Sequence, residues 1–424
     1  MLEEEGAMFL NNKAQGYRGH NSNSARNSTE IMVVAGEVSG DLYAARVVRE
    51  IKNLVADQET ANSSPRISFT GMGRNRLAQA GQRQDIRAGR GDIGLSGGLA
   101  GLKKHWQWAK KLASQAQESK PAAALLVDYS GFNMYLGRRL RKIGIPVIHY
   151  IPPSAWLWGQ WRAKWLARYD IQVAAIFPQE EDCYQRAGAR SHFVGHPLLD
   201  EIPEPRKQRA ARESLNDYLK MAGRQELDPG ARVLALLPGS REKEIATLIE
   251  PLLQAARRLS KKFCLQVIIP QDSDRDITQL ADLAGKVLSR IEVLPNRTRE
   301  VLAASDLALV ASGTASLEAA LLNCPQIVVY QVGRPTALVG KLLLKTDWIS
   351  LPNIIAGAEI VPELLQDKVK GDIIYKEAKK ILQDPELIKE QLAGYRTIRE
   401  KLGEPGAARR TAELVIQAAG LDNF

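Results

Sequence analysis

Leu236-Leu237-Pro238-Gly239-Ser240-Arg241 and Ala311-Ser312-Gly313-Thr314-Ala315-Ser316-Leu317-Glu318 share one pattern: an apolar run that reads as a buried strand, a turn of small residues, then a run that reads as a helix. Small residues at such a junction let backbone N–H groups face outward at a helix N-terminus, which holds a diphosphate without a P-loop. The first stretch adds a fixed positive charge, Arg241. The second adds a carboxylate, Glu318, one helical turn in, placed to accept hydrogen bonds from a ribose diol. Together they point to a nucleotide-diphosphate site between strand ends.

Outward from these stretches the alternation repeats. Val233 to Leu237, Leu265 to Ile269, Ile291 to Leu294, Leu307 to Val310 and Ile327 to Tyr330 read as strands, and Ile245, Leu248, Ile249, Leu252, Leu253 and Ala256 share one helical face. An earlier series runs through Ile31 to Ala35, Ile67 to Thr70 (ending in Gly71-Met72-Gly73), Ala122 to Val127, Pro146 to Ile151 and Val173 to Phe177. Strands alternating with helices predict parallel sheets covered on both faces. The fold class is therefore α/β: two Rossmann-like domains with parallel sheets facing a central cleft, followed by C-terminal helices. We expect a disordered extension over residues 1–29, a first domain over 30–205 and a charged, proline-containing linker region with some helix over 206–230. A second domain over 231–385 and C-terminal helices over 386–424 complete the chain. Ligands of such sheets bind at the carboxyl ends of the strands, here in the cleft.

A chain of 424 residues, 45% hydrophobic and 25% charged, is a soluble-protein composition too long for one ordinary core. No apolar run reaches the roughly 18 residues of a spanning helix, and no signal peptide is visible. Cys183, Cys264 and Cys324 are scattered and odd in number, which fits a reducing cytoplasm and supplies no metal framework. The net charge of +10 points to an anionic partner: nucleic acid, an anionic lipid surface or a phosphorylated substrate.

Several local patterns admit two readings. Gly36-Glu37-Val38-Ser39-Gly40-Asp41 joins a first strand to a first helix, either as a ligand loop or as an ordinary turn capped by Ser39 or Asp41. Asp128, at a strand's carboxyl end, is either a general base for a hydroxyl or a helix cap or buried ion-pair partner. Leu99, Leu102, Trp106, Ala109 and Leu112 fall at helical spacing with Lys103, Lys104, Lys110 and Lys111 interleaved and no acid. We favour an amphipathic membrane-surface helix over a plain core stripe, because Trp108 and His105 widen the apolar face. Trp156, Trp158, Trp161 and Trp165, with Arg162, Lys164 and Arg168, could stack on a sugar, line an acyl groove or fill a core.

Other motifs fail on their physics. Gly94-Leu95-Ser96-Gly97-Gly98 lacks the hydrophobic strand a nucleophile elbow needs. Gly340-Lys341 has Pro335 and Leu342 where a P-loop needs glycine and a magnesium-binding hydroxyl. Gly71-Met72-Gly73 has Arg76 in place of the third glycine of a dinucleotide fingerprint, and Asp272-Ser273-Asp274 reads as a solvated loop rather than a metal site.

From about Ile31 to the C-terminal helices the chain resembles the lipid-A-disaccharide synthases, inverting glycosyltransferases of the two-Rossmann-domain (GT-B) class. The resemblance is carried, in order, by Gly36 to Asp41, Val127-Asp128 with Phe132-Asn133, and His149-Tyr150-Ile151-Pro152-Pro153-Ser154-Ala155-Trp156-Leu157-Trp158. It continues through Phe193-Val194-Gly195-His196-Pro197, Leu237 to Arg241, Ser312 to Glu318 and Lys345-Thr346-Asp347. Ser350-Leu351-Pro352-Asn353 and Val361-Pro362-Glu363-Leu364-Leu365-Gln366 complete it.

The resemblance implies transfer of 2,3-diacylglucosamine from UDP-2,3-diacylglucosamine to 2,3-diacylglucosamine 1-phosphate, giving the β-1,6 disaccharide 1-phosphate and UDP in lipid A biosynthesis. It implies that Asp128 is the base, that Arg241 neutralises the leaving diphosphate beside Gly239 and Ser240, and that Ser312, Gly313 and Thr314 hold phosphate. Glu318 would bind ribose, Asn353 and Gln366 would help close the nucleotide side, and Gly36, Glu37, Ser39, Gly40, Asp41, Asn133, Ser154 and Trp156 would line the acceptor side. No metal or other cofactor is expected, with Arg241 and helix dipoles carrying the charge. The implied partners are acylated glucosamine lipids, the anionic cytoplasmic face of the inner membrane and a second copy of the chain, possibly exchanging C-terminal helices, with no nucleic acid. Tyr129-Ser130-Gly131 departs from the Ala-Pro-Asp common in the family, which leaves Asp128 as the motif's lone carboxylate, and the region from Gly94 lacks an acidic residue expected near its start.

Three rivals remain at this stage. A transferase adding N-acetylglucosamine to a polyprenyl-linked acceptor shares the architecture, but the Ser312-to-Glu318 and Ser350-to-Asn353 stretches argue against it. A UDP-sugar 2-epimerase would need no lipid surface. A nucleic-acid binder would explain the charge but not carboxylates at strand ends.

Overall fold

The computed structural model describes residues 28–57, 66–88, 98–205, 207–271, 277–288, 290–333 and 346–421. Gly94 to Gly97, Asp272 to Asp274, Gly340-Lys341, Lys345 and nearly all of the expected N-terminal extension lie outside the described residues, as do the side chains of Leu99 and Leu102.

Two parallel sheets form. The first holds β1 (Ser28–Ala35), β2 (Arg66–Gly73), β3 (Gln82–Arg87), β4 (Ala123–Val127), β5 (Val147–Tyr150), β6 (Gln172–Ala175) and β7 (Ser191–Phe193), in the order β3-β2-β1-β4-β5-β6-β7. The second holds β8 (Arg232–Leu237), β9 (Leu265–Gln271), β10 (Ile291–Pro295), β11 (Leu307–Ala311), β12 (Gln326–Tyr330) and β13 (Glu363–Leu365), in the order β10-β9-β8-β11-β12-β13. In each, the order reverses beside the first strand, so the switch point lies between β1 and β4 and between β8 and β11.

The apolar runs that read as strands are the central ones, because a strand buried on both faces needs apolar residues at every position. Ile31, Val33 and Ala35 pack on one face and Met32 and Val34 on the other. The three strands without an apolar run are edge strands. β3 is largely polar, and β7 and β13 have three residues each. Gly71-Met72-Gly73 is the end of β2 rather than a loop, and a Cβ on Gly71 would meet the Val33 carbonyl oxygen at 2.4 Å.

The expected linker region is mostly a helix, Gln208–Met221, which buries Ala211, Leu215 and Leu219 and packs against the helix Thr298–Ala304 of the second domain. Arg212 pairs with Asp306 there. The chain's last described helix, Ala407–Ala418, returns to the first domain and packs on the helix Val38–Asp57. The Asp200 carboxylate caps it, accepting from Gly406, Ala407 and Ala408 N–H.

Candidate functional site

The first side of the site is built where β1 and β4 end. Asp128 and Tyr129 are consecutive non-glycine residues with left-handed backbone, φ 54° and 46°. Each such residue costs about 1 kcal/mol and persists only where its surroundings fix it. Here Asp128 N–H donates to the Tyr150 carbonyl at 2.9 Å, and the Asn133 amide donates to the carbonyls of Val127 (3.1 Å) and Asp128 (2.6 Å). His149 Nε2–H donates to the Asp128 carbonyl at 3.2 Å. Burial holds that imidazole neutral, with its pKa down to about 4.

The Asp128 carboxyl is pushed up to about 6, first by burial and then by the Glu37 carboxylate. Hydrogen bonds from Tyr129 N–H (2.8 Å) and from Ser39 oppose the shift. Gly40 packs against this neighbourhood: a Cβ there would stand 3.5 Å from both the Asp128 Cβ and the Val127 carbonyl, an ordinary contact. Gly36 is buried in the same loop, while Glu37 and Ser39 are exposed. The structure therefore brings together Gly36, Glu37, Ser39, Gly40, Asp128 and Asn133 as expected.

Asp41 is a correction. Its carboxylate turns away and caps the short helix Asn75–Gln79, accepting from Arg74 N–H (2.6 Å), Arg76 N–H (2.9 Å) and Leu77 N–H (3.4 Å). Such a carboxylate is a structural anchor of that helix.

Past β5, the Ser154 carbonyl accepts from Leu157 and Trp158 N–H in a tight turn. Trp156 lies half-buried against Phe177, ring centroids 5.9 Å apart. Trp158 and Trp161 are exposed, and the Arg162 guanidinium stacks 3.5 Å over the Trp158 ring. The aromatic cluster thus divides between core and surface. Beneath it sits Glu180, which the sequence reading missed. Burial pushes its carboxyl up to about 8, against a hydrogen bond from Ile176 N–H at 3.1 Å.

The second side is built where β8 and β11 end. Gly239 (φ 107°) turns the chain, and the N–H groups of Ser240 and Arg241 both donate to Glu244 Oε2 at 3.2 Å. This corrects the expectation that these N–H groups face outward. What the loop offers an anion is the Arg241 guanidinium, 83% exposed and paired with Glu244 across one turn at 2.9 Å. The loop after β11 fits the expectation better. Gly313 and Thr314 are exposed at the start of the helix Thr314–Leu321, which has no side-chain cap. Ser312 is structural, its hydroxyl donating to the Ile349 carbonyl at 3.0 Å.

Glu318 is held by Arg299, at 2.8 Å, and Arg299 also pairs with Glu201 of the first domain. The Tyr43 hydroxyl, one turn past the first loop, is pushed up by burial and then by the Glu201 and Glu318 carboxylates, so the two domains' loop-bearing ends face each other. Arg299 was missed because nothing near it in sequence marks it.

Asn353 and Gln366 both spend their amides within the protein. Asn353 is fully buried and bonded throughout, donating to Val361 O and Glu363 Oε1 and accepting from Ile360 and Val361 N–H. Gln366 straps Val332, accepting its N–H at 2.9 Å and donating to its carbonyl at 2.8 Å. Both shape the wall behind β12 and β13 and use their amides on protein.

The helix Gly98–Ser119 divides likewise. Ala109, Leu112 and Ala116 are core, and Trp108 is half-buried with the Lys104 ammonium 4.9 Å from its ring. Trp106 is 51% exposed, and Lys103, Lys104, Lys110 and Lys111 are all exposed. No described helix is long and apolar enough to cross a membrane. Among the described residues no group of three or more His, Cys, Asp or Glu is placed to hold a metal.

Residues 31–418 match the family model for lipid-A-disaccharide synthetase. The chain belongs to the lipid-A-disaccharide synthase family. The synthase of Myxococcus xanthus is 37% identical over 394 residues, covering 92% of this chain and 98% of the relative. Membership makes this chain a glycosyltransferase with lipid-A-disaccharide synthase activity, and the polyprenyl-acceptor and epimerase readings are not favoured. Among solved structures, the UDP-GlcNAc 2-epimerase of Neisseria meningitidis bound to UDP-GlcNAc aligns with TM-score 0.60 at 14% identity, over 92% of this chain and 100% of that one. MurG of Acinetobacter baumannii aligns with TM-score 0.55 at 15%, over 92% and 99%. These likenesses are of fold: the synthase shares the GT-B architecture with both.

Proposed function

We propose that the chain joins the two diacylglucosamine units by direct inverting displacement, with Asp128 as the base. UDP-2,3-diacylglucosamine is the donor and 2,3-diacylglucosamine 1-phosphate the acceptor. Asp128 takes the proton of the acceptor's 6-hydroxyl as that oxygen attacks the donor's anomeric carbon, the bond to the diphosphate breaks, and UDP leaves. Arg241 and the exposed helix start at Gly313-Thr314 offset the growing negative charge. Glu318, oriented by Arg299, accepts from the ribose diol. This division of roles needs neither a metal nor another cofactor.

The observation that carries the reading is the Asp128 carboxyl, pushed up to about 6 at the strand switch point. A carboxyl so poised is mostly ionised at neutral pH yet holds a proton better than a solvated one, as general-base catalysis on a hydroxyl requires. The exposed lysines around Trp106 support docking at an anionic membrane surface, on the cytoplasmic face of the inner membrane where such lipids are made. The family resemblance supports a homodimer.

The test is turnover of the purified chain with both lipid substrates in detergent, followed as UDP release and as disaccharide by mass spectrometry. Asp128→Asn is expected to lose about 10²–10⁴-fold in kcat. Wild-type kcat/KM should rise with pH through about 6 and level off above, because the protonated carboxyl is inactive as a base. An Asp128→Asn enzyme with wild-type kcat would sink the assignment.

A further inference from the structure

We propose that the hydrogen bond between Tyr129 and His105 is a strut tying the base-bearing turn to the lysine- and tryptophan-bearing helix, which makes Tyr129 a positioning residue for Asp128. The proposal rests on the reading of Asp128 as the base.

The turn is held from two sides. On the sheet side, Asn133 and Tyr150 fix its backbone. On the other side the helix Gly98–Ser119 packs against its neighbour Ser130–Lys142, and Tyr129 touches a residue of each, His105 and Phe132. Its ring stacks on Phe132, with centroids 5.1 Å apart and planes 17° apart, and its hydroxyl lies 2.7 Å from His105 Nε2. The imidazole in turn sits edge-on to both Tyr129 (5.5 Å) and Phe132 (6.3 Å) and 5.9 Å from Trp108.

The consequence follows from one shared residue. The backbone N–H of Tyr129 donates to Asp128 Oδ1 at 2.8 Å and so orients the carboxylate. Any rotation of Tyr129 therefore turns the carboxylate with it. Two successive left-handed residues have an easy escape to ordinary backbone, and a side chain anchored at its far end closes that escape. The contact chain runs from Lys104 and Trp108 through His105 and Tyr129 to the Asp128 carboxylate. The seating of the helix that bears Trp106 and the exposed lysines is thus coupled to the aim of the base.

The experiment compares steady-state kinetics and melting temperature for Tyr129→Phe, His105→Leu, the double variant and His105→Gln, with Asp128→Asn alongside. Tyr129→Phe removes the hydroxyl and keeps the stack on Phe132. It should lower kcat about tenfold while leaving both KM values and the melting temperature near wild type, the pattern of a misaimed group rather than a lost fold. His105→Leu should give the same loss, the double variant no more than either single one, and His105→Gln should recover most of it through its amide. Wild-type kcat in Tyr129→Phe with an inactive Asp128→Asn would overturn the strut and leave the base reading standing. Additive losses in the double variant would also overturn it. An active Asp128→Asn would remove the base reading and the strut with it.

Discussion

Burial alone does not assign a role to a carboxyl, and this chain holds three that differ. Asp41 is buried and accepts three backbone N–H groups, which makes it the anchor of a short helix. Asp128 is half-buried beside another carboxylate and is poised near pH 6. Glu180 is buried under Trp156 and sits at about 8, so it holds a proton at neutral pH. In sequence the three look alike, each just past an apolar strand. The difference lies in residues far along the chain that reach each one, such as Arg74 to Leu77 for Asp41, and no local motif records them.

Glu180 gives a prediction with a definite sign. Its folded pKa is raised above the unfolded value, so its contribution to stability is fully present below about pH 4.5 and is lost as pH rises towards 8. Glu180→Gln keeps the shape and cannot ionise. The variant should match wild type near pH 4.5 and melt progressively higher than wild type as pH approaches 8. Thermal scans at several pH values check it, and parallel curves across that range would contradict it.

Among elements, legibility followed burial. Central strands appeared as apolar runs because both their faces are covered. β3, β7 and β13 did not appear, because these edge strands are polar or only three residues long, whereas β10, also at an edge, keeps apolar residues that show in the sequence. The loops after β1, β4 and β11 were legible because their small residues mark a turn at a strand end. The roles of Asn353 and Gln366 were not. Their amides satisfy backbone groups at Val361 and Val332 that only the folded chain brings near.

The helix Gly98–Ser119 is a mixed case, since its stripe is both core and surface. Leu112 and Ala109 anchor it, and Trp106 and the four lysines lie at the surface, where the proposed membrane docking would use them. Each lysine near such a surface is worth about 1 kcal/mol, or roughly fivefold in partitioning. Replacing Lys103, Lys104, Lys110 and Lys111 together by Gln should therefore abolish vesicle co-sedimentation with phosphatidylglycerol at low salt and leave the melting temperature unchanged. Equal sedimentation of the variant and wild type would place membrane contact elsewhere.

At the scale of the molecule, the two sheets are joined more tightly than a single linker would join them. One hydrophobic core is continuous across both, from Val47 and Leu125 of the first domain through Leu198, Ile202, Ile398 and Val415 to Val310 and Leu317 of the second. Across the cleft-facing ends, Arg46, Glu201, Arg299 and Glu318 form a chain of ion pairs. Glu201 is 4% exposed and Glu318 15%, so two nearly buried carboxylates share the Arg299 guanidinium, with Arg46 a second, longer partner of Glu201 at 3.6 Å. Arg299→Leu leaves both without it, and a stability loss of about 2 kcal/mol is expected after allowance for the partly exposed guanidinium. Glu201→Gln in the same background should recover part of that loss, because it removes one of the two charges that Arg299 paired. The pair also links donor binding to the domain contact, since the carboxylate assigned to ribose is the one Arg299 holds. Urea unfolding of the two single variants and the double variant isolates the coupling, with UDP titration on each. Losses that simply add, with UDP affinity unchanged in Arg299→Leu, would mean that the cleft is held by the apolar core alone and that Glu318 is oriented by something other than Arg299.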